Sequence, residues 1–575
     1  MFVTLLAALL VPYSHGASPW PSGSSALALQ AVSELSLADR VSWLHGHSIF
    51  DVPYVGNVPG YSRGNLSLPP LHLEDGPQGV ADETTYVTAF PSAGTVLMTW
   101  DTDLYFAFGA AMAAEQHAKG VNIALTPAVN LARVPWAGRV FEWLGEDPFL
   151  AAAMARHQVL GLQTGTNVSA CVKHLVLNSQ EFERNSVSET ASRRTLWELY
   201  YPPFQAAVDA GVGSAMCAYN RIRGAFACEN AETLGDLKNR MGFKGPIMSD
   251  WYATHSTLPA ALAGLDQEMP GGFFFSDALQ AAAASGALPA ARLQDMVVRV
   301  LTPLFALGLT SDPPPPSRNV FSNATSAAHN ALALALAEAS IVLLRNEGGL
   351  LPLTGVASWA VFGDEVTVAG EGSGGVNLPY LVTPAEGVRA VAGGAPVAYV
   401  DGHDPAAAGA AAAAAGACVV VVGVTSAEGT DRADLALPAW QNAMVAAVAA
   451  ANPRTVVVVR CPGACKLPWA DTVPAILYEM MPGQESGNSI GRTLVGLNNP
   501  SGRLALSFPA DENTTWLGAR NASRYPGVDS GKGYLEGAAP THLQAPRRRA
   551  TPPRHARAHS HAAPCPAQSP TERSC

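Results

Sequence analysis

The chain has 575 residues, too many for one hydrophobic core, so about two or three domains are expected. Its composition is globular, 48% hydrophobic and 14% charged, and a formal charge of -11 argues against nucleic-acid binding. The eight cysteines are thinly spread and no Cys/His spacing matches a zinc site, so no metal is implied and neutral molecules are the expected partners.

In chain order, Phe2 to Val11 is a short apolar run followed by Ser14-His-Gly-Ala17, small residues suited to signal-peptidase cleavage, although Lys and Arg are missing from the start. Residues 1–17 therefore read as a secretory signal, which places the protein outside the cell or in the secretory-pathway lumen. Asn-x-Ser/Thr sequons at Asn65, Asn167, Asn323, Asn513 and Asn521 agree with that route. Cys217 and Cys228 flank a turn and are spaced to close a short disulfide loop, and Cys461 and Cys465 are spaced likewise. The run Ala406 to Val424 has the length of a membrane span. It is mostly alanine with Gly409 and Gly416 inside, so it reads instead as an Ala-rich helix feeding a buried strand, Cys418 to Val422, and no membrane span is expected.

From Leu71 to Pro270 helical stretches alternate with short apolar runs that finish on polar residues. Pro70 to Asp75 ends in acids, Val168 to Val172 runs into Lys173-His174, Ser214 to Asn220 ends in an amide, and Gly264 to Met269 carries two acids. Gly245-Pro-Ile-Met-Ser-Asp-Trp251 delivers a carboxylate, Asp250, beside a flat ring, Trp251, a pairing that suits a sugar. Read alone, Asp250 is a strand-end cap at least as readily. Between the runs, Asp101 to Lys119, Pro148 to Gly165 and Arg193 to Ala210 have the length of crossover helices. Repeated strand-helix units imply a parallel sheet, and a closed (β/α) barrel places its active groups where these polar residues fall. A doubly wound open sheet has the same periodicity.

These residues carry a family resemblance. Leu71-His-Leu-Glu-Asp-Gly-Pro-Gln-Gly-Val80, Ala132 to Glu142 with Gly145-Glu-Asp-Pro148, Lys173-His174 with Asn178 and Gln180-Glu181, and Met248-Ser-Asp-Trp251 with Gly264 to Gly271 resemble family 3 glycoside hydrolases, especially β-glucosidases. The resemblance implies a TIM-like barrel followed by an α/β sandwich, with Asp250 as catalytic nucleophile and Asp75, Arg139, Lys173 and His174 holding the sugar hydroxyls. Met216, Tyr219 and Trp251 match positions lining the same subsite. A sugar needs donors and acceptors together, which a carboxylate, a guanidinium, an ammonium and an imidazole supply. Each residue alone has an ordinary alternative: Arg139 and Lys173 as solvated groups or partners of Glu142 or Asp147, His174 as a satisfied core histidine.

After a helix over Ala290 to Leu309, Ser311-Asp-Pro-Pro-Pro-Pro-Ser317 marks a stiff linker, so the barrel is expected over 18–310 and the linker over 311–324. A helix over Thr325 to Leu344 and the runs Trp359 to Gly363, Cys418 to Gly423, Thr455 to Val459 and Ala475 to Tyr478, with a helix over Leu437 to Ala451, read as an α/β domain whose strands are buried on both faces. It is assigned residues 325–536. Gly370-Glu-Gly-Ser-Gly-Gly375 lacks the spacing and the helix of a dinucleotide site, so no cofactor is expected. The loop Ser426-Ala-Glu-Gly-Thr-Asp-Arg432 resembles the one that supplies the acid/base in family 3 β-glucosidases, and the matching residue is Glu428.

The implied activity is exo-acting removal of terminal non-reducing β-D-glucosyl units from a β-glucoside or oligosaccharide, with retention through a covalent glycosyl-enzyme. Retention needs two carboxyl groups about 5 to 5.5 Å apart. Asp250 and Glu428 lie on opposite sides of the linker and meet only across a domain interface. The expected division is an ionised Asp250 and a Glu428 of raised pKa; as a plain loop acid, Glu428 would pair with Arg432. A β-xylosidase of the same family is the runner-up, and a non-catalytic carbohydrate-binding relative is the reading from another class. Where the family often has Arg after the Gly-Val of the first motif, this chain has Ala81. After Glu536 the usual continuation into a fibronectin type III-like domain is replaced by Gly537 to Cys575, rich in Pro with six Arg and four His. Its composition reads as a disordered basic tail, and its abrupt onset as a mispredicted or prematurely ended reading frame. Nothing in the sequence sets the oligomeric state.

Overall fold

A computed structural model describes residues 20–47, 54–81, 84–311, 313, 321–364 and 367–510. The signal segment, most of the Pro-rich linker, the sequons Asn513 and Asn521 and the basic tail lie outside those residues. In the first domain six strands lie side by side: β1 (Gly56–Val58), β2 (Leu71–Asp75), β3 (Ile123–Leu125), β4 (Ser169–Leu175), β5 (Ser214–Cys217) and β6 (Ile247–Ser249). β2 to β6 run parallel, while β1 is antiparallel to β2. The ring closes through irregular segments. Gln267 bridges Met248, Glu268 bridges His45, and the His47 N–H reaches the Asn57 carbonyl of β1 at 2.8 Å. The TIM-like barrel therefore stands, with one reversed strand.

The helices of this domain include α1 (Ser24–Glu34), the crossover helices α2 (Thr102–Ala118), α3 (Pro148–Gln163) and α4 (Pro202–Asp209), and α5 (Ala290–Ala306). Asp101 and Asp147 cap α2 and α3 through their carboxylates, and Pro148 occupies the first turn of α3, where its missing N–H costs nothing. The expected helix over Arg193 to Ala210 is interrupted. A π turn at Leu196–Tyr200 separates a short opening turn from α4, because Pro202 offers no N–H to continue the ladder.

In the second domain α6 (Ala327–Ser340) leads into β7 (Val342–Asn346), β8 (Trp359–Gly363), β9 (Val397–Val400), β10 (Ala417–Gly423), β11 (Thr455–Arg460) and β12 (Ala475–Tyr478). The sheet order is β7-β12-β11-β10-β8-β9, parallel except for β7. The helix expected over Thr325 to Leu344 thus stops at Ser340, and Val342 to Asn346 pairs with the sheet edge instead. β10 and β11 are buried throughout, and their valines alternate between two cores. Val420, Val422, Val457 and Val459 pack towards α8 (Pro405–Ala414) and α9 (Ala439–Ala451), while Val419, Val421, Val456 and Val458 pack towards α7 (Pro384–Val391) and α10 (Ser486–Leu494). Period-two burial on both faces makes this an α/β sandwich.

The Ala-rich stretch is α8, feeding β10 as expected, and no helix of the described residues is long and apolar enough to cross a membrane. Cys217 and Cys228 are bridged. Cys461 and Cys465, whose spacing allowed a second bridge, are buried free thiols; their turn is tied instead by the Tyr478 hydroxyl, whose hydrogen is shared between the carbonyls of Cys461 (3.2 Å) and Gly463 (3.1 Å). The two domains are joined by buried bonds from Gln78 Nε2 to the Val368 carbonyl (3.1 Å) and from the Ala89 N–H to Gln484 Oε1 (2.9 Å).

Candidate active site

Four of the expected site residues stand at the carboxyl ends of parallel barrel strands or just beyond: Asp75 closes β2, Lys173 and His174 lie near the end of β4, and Asp250 follows β6. Tyr219 follows β5, and Arg139 comes from the long loop after β3. Glu428 arrives from the second domain, on the loop after β10. β8 and β10 are neighbours from which the chain departs to opposite sides, so the loops leaving their carboxyl ends open a crevice at the point where strand order reverses.

Asp250 is the focus of the cluster. Its Oδ1 accepts the Trp251 N–H at 2.8 Å, while Oδ2 is buried without a hydrogen bond among the described residues. Burial, reinforced by the charge of Glu428 and opposed by Arg139, Lys173 and Arg184, pushes the Asp250 carboxyl up to about 6. His174 Nε2 lies 3.5 Å from Oδ2 but makes no ion pair, because burial together with Arg139 and Lys173 holds the imidazole well below its ordinary pKa. Its tautomer follows from Asn130. The amide oxygen there must accept the His174 backbone N–H (3.1 Å), so Nδ1, 3.0 Å from the same oxygen, carries the proton and Nε2 keeps a lone pair. Lys173 Nζ is 2.8 Å from Asp75 Oδ1; burial works to lower the lysine pKa, but Asp75 and Glu142 together more than offset it and leave the pKa raised.

Arg139 is almost fully buried and committed to protein partners. Nε and Nη2 grip Glu142 at 2.9 and 2.8 Å, Nη2 also reaches Ser373 Oγ (3.0 Å), and Nη1 reaches Glu428 Oε1 (3.1 Å). Four of its five N–H donors are thus engaged, leaving one for a ligand. Arg184 Nη1 joins Glu181 Oε2 (2.7 Å) to Glu428 Oε1 (2.8 Å), and its guanidinium lies over the Tyr219 ring, 4.3 Å from the centroid. Burial pushes the Tyr219 phenol up, with Asp250 beside it adding to the rise. Arg184 therefore links the surroundings of both carboxylates.

The expected raised pKa of Glu428 is overturned. Burial does push the carboxyl up, but Arg139 and Arg184 converge on it, the Ser373 N–H adds a bond at 3.2 Å, and together they hold it far below the usual range. Arg432 is not its partner; that side chain donates to the carbonyls of Pro135 and Ala464, both at 2.7 Å. The glycine-rich loop that carries Ser373 also has a packing task. A Cβ at Gly370 or Gly374 would sit 2.1 or 2.4 Å from the Phe141 ring, so that ring fills the space that side chains would need.

Trp251 is half-buried against the barrel core, its indole N–H bonded to the Val55 carbonyl at 2.8 Å. Met216 pairs in register with Met248 and is buried in the apolar core. Ala81 is buried and supplies no cation. The two acids of Gly264 to Met269 serve the scaffold: Asp266 accepts from Lys238 Nζ (2.6 Å), Arg292 Nη2 (2.9 Å) and the Ile247 N–H (2.9 Å), and Glu268 accepts the N–H groups of Phe273, Phe274 and Phe275. Sequence reasoning did not single out Glu142, Arg184 or Ser373 as site residues. An Arg and a Glu three apart, in 139/142 and again in 181/184, was the available signal for the first two.

A barrel mouth that gathers a buried carboxylate, hydroxyl-matching polar groups and a second carboxylate from a neighbouring domain is the arrangement of an enzyme that cleaves glycosidic bonds. Two family descriptions match the chain, the glycosyl hydrolase family 3 N terminal domain over residues 60–303 and the family 3 C-terminal domain over 341–540. A probable beta-glucosidase L of Aspergillus fumigatus is 35% identical over 571 residues, covering 90% of this chain and 77% of the relative. Among solved structures, the beta-D-glucoside glucohydrolase of Trichoderma reesei has 33% identity and a TM-score of 0.81 over 87% of this chain and 75% of its own. The β-glucosidase DesR of Streptomyces venezuelae, solved with D-glucose, has 28% identity and a TM-score of 0.83 over 88% and 82%. The chain belongs to glycosyl hydrolase family 3.

Proposed function

We propose that this protein is an exo-acting β-glucosidase that works with retention, Asp250 being the nucleophile and Glu428 the acid/base. The observation that carries the reading is Asp250 Oδ2: a buried carboxylate oxygen without a hydrogen bond, at the carboxyl end of a barrel strand, among polar groups matched to a sugar. Asp75, Lys173, His174 and the remaining Arg139 N–H orient the glucosyl ring, with Tyr219 and Trp251 beside it. Oδ2 attacks the anomeric carbon, the bond to the aglycone oxygen breaks, and Glu428 gives that oxygen a proton. Glu428 then takes a proton from water, which attacks the same carbon and releases Asp250.

Arg139 and Arg184 hold the Glu428 carboxyl far below the usual range, so in this reading proton donation to the aglycone oxygen requires at least one of them to be drawn away from it. Glu181, pushed up to about 7 chiefly by burial, is the other acid beside this loop. Its side chain is fully buried whereas that of Glu428 is 19% exposed, which favours Glu428 as the group that meets a ligand. Secretion belongs to the same proposal and is supported by the Cys217–Cys228 bridge, since such bonds persist in oxidising compartments.

Incubation with a slow 2-deoxy-2-fluoro β-glucoside, beside the xyloside equivalent, followed by peptide mass spectrometry tests the reading. Label from the glucoside on Asp250 is expected. Label on another residue overturns the nucleophile, a preference for the xyloside overturns the sugar, and no label on folded protein favours a carbohydrate binder.

A further inference from the structure

Glu428 sits on a loop of one domain and acts, in the reading above, on a sugar held by the other. Something must fix that loop against the barrel to a fraction of an ångström, because a misplacement of about 1 Å costs on the order of a hundredfold in rate. We infer that Asp431 is this positioning residue. Its carboxylate accepts three backbone N–H groups from the barrel: Oδ1 from Gly138 (3.0 Å) and Glu181 (2.9 Å), Oδ2 from Phe182 (3.0 Å). These donors belong to two separate barrel loops, and those loops carry Arg139 and Arg184, the two cations that touch Glu428. One side chain therefore sets the acid/base loop and both of its electrostatic partners in a common frame.

Neighbouring contacts close the same seam. Ser426 Oγ donates to the Gly138 carbonyl at 2.7 Å, and the Arg432 N–H donates to the Trp136 carbonyl at 2.9 Å. A Cβ on Gly138 would lie 2.1 Å from the Thr430 oxygen and 2.2 Å from the Ala427 oxygen, so the backbones meet with no room for a side chain. The Gly429 N–H donates to Glu181 Oε2 at 2.7 Å. Asp431 is the member whose removal leaves three barrel N–H groups without their acceptor, and its own oxygens, occupied by backbone, are not aimed at a ligand. It acts through Glu428.

The inference rests on the acid/base reading of Glu428, and leaving-group dependence separates the two. A 2,4-dinitrophenyl leaving group departs without a proton, whereas phenol requires one. Kinetics of Asp431→Ala and Glu428→Ala are measured with 2,4-dinitrophenyl and phenyl β-glucosides at the pH optimum. For Glu428→Ala, the rate of the glycosylation step, kcat/KM, is expected to fall by about 10² to 10⁴ with the phenyl substrate and by less than about tenfold with the dinitrophenyl one. For Asp431→Ala the phenyl value is expected to fall by about 10 to 10², with the dinitrophenyl value held within about threefold. Asp431→Asn, which keeps an oxygen facing Gly138 and Glu181, is expected to lie between Asp431→Ala and the parent, and it serves if the Ala variant does not fold. Equal losses on both substrates for the Asp431 variants, or no loss on the phenyl one, overturn the inference while Glu428 still shows its split. No split for Glu428→Ala overturns the acid/base reading and the inference with it.

Discussion

The pKa of Asp250 offers a direct measure of whether the two proposed catalytic carboxylates face each other. The carboxyl stands at about 6 because of burial first and the charge of Glu428 second. Glu428→Gln removes that charge with little change of shape. Two unit charges about 5 Å apart repel by about 3 kcal/mol at an effective dielectric constant of about 20, equivalent to about 2 pH units. Solvent reaching the 19% exposed side chain of Glu428 lowers this, and release of Arg139 and Arg184 towards Asp250 acts in the same direction as the removed charge. A downward movement of about 1 to 2 pH units is therefore expected. The sign is fixed by the chemistry: as the proposed nucleophile Asp250 attacks only when ionised, so kcat/KM rises with pH through its pKa, and removing a neighbouring negative charge eases ionisation. The assay is kcat/KM against pH with 2,4-dinitrophenyl β-glucoside, whose departure does not report on the acid. The parent should show an acid limb near 6, and the Gln variant a lower one. A limb that stays in place or moves up would refute the juxtaposition of Asp250 and Glu428.

Two further outcomes concern the scaffold. Asp266→Ala leaves Lys238 and Arg292 facing a gap in the barrel wall, and breaking a buried pair in this way costs about 3 to 5 kcal/mol; urea unfolding at pH 7 checks it, and a loss under about 1 kcal/mol would show that the network relaxes. Gly370→Ala puts a methyl 2.1 Å from a ring atom of the buried Phe141, for which about 1 to 3 kcal/mol of overpacking is expected, together with lower kcat/KM because the same loop holds Ser373 against Glu428. Unchanged stability would mean that the Phe141 ring has room to move.

What the sequence could and could not reveal follows the range of the forces involved. β2, β4 and β6 were legible because each is an apolar run that ends abruptly on a charged or polar side chain, and that change of character is local. β1 and β3 have three residues each, and the segments around His45 and Gln267 complete the barrel through single bridges, so their identity exists only in the pairing. The valine runs of β10 and β11 were readable as buried, and their assignment to two cores follows from alternation alone. Motif resemblance drew attention to Glu428, but its protonation could not be read the same way. Burial is a local tendency that raises a carboxyl; the opposing guanidinium groups come from positions 139 and 184 on two different loops of another domain, and only folding brings them within 3.1 and 2.8 Å. Asp431 illustrates the same limit more sharply, since all three of its partners are backbone N–H groups, which any sequence supplies and no side-chain pattern advertises. The residues proposed to meet the sugar were thus written into motifs, whereas those that hold the domains in register were not.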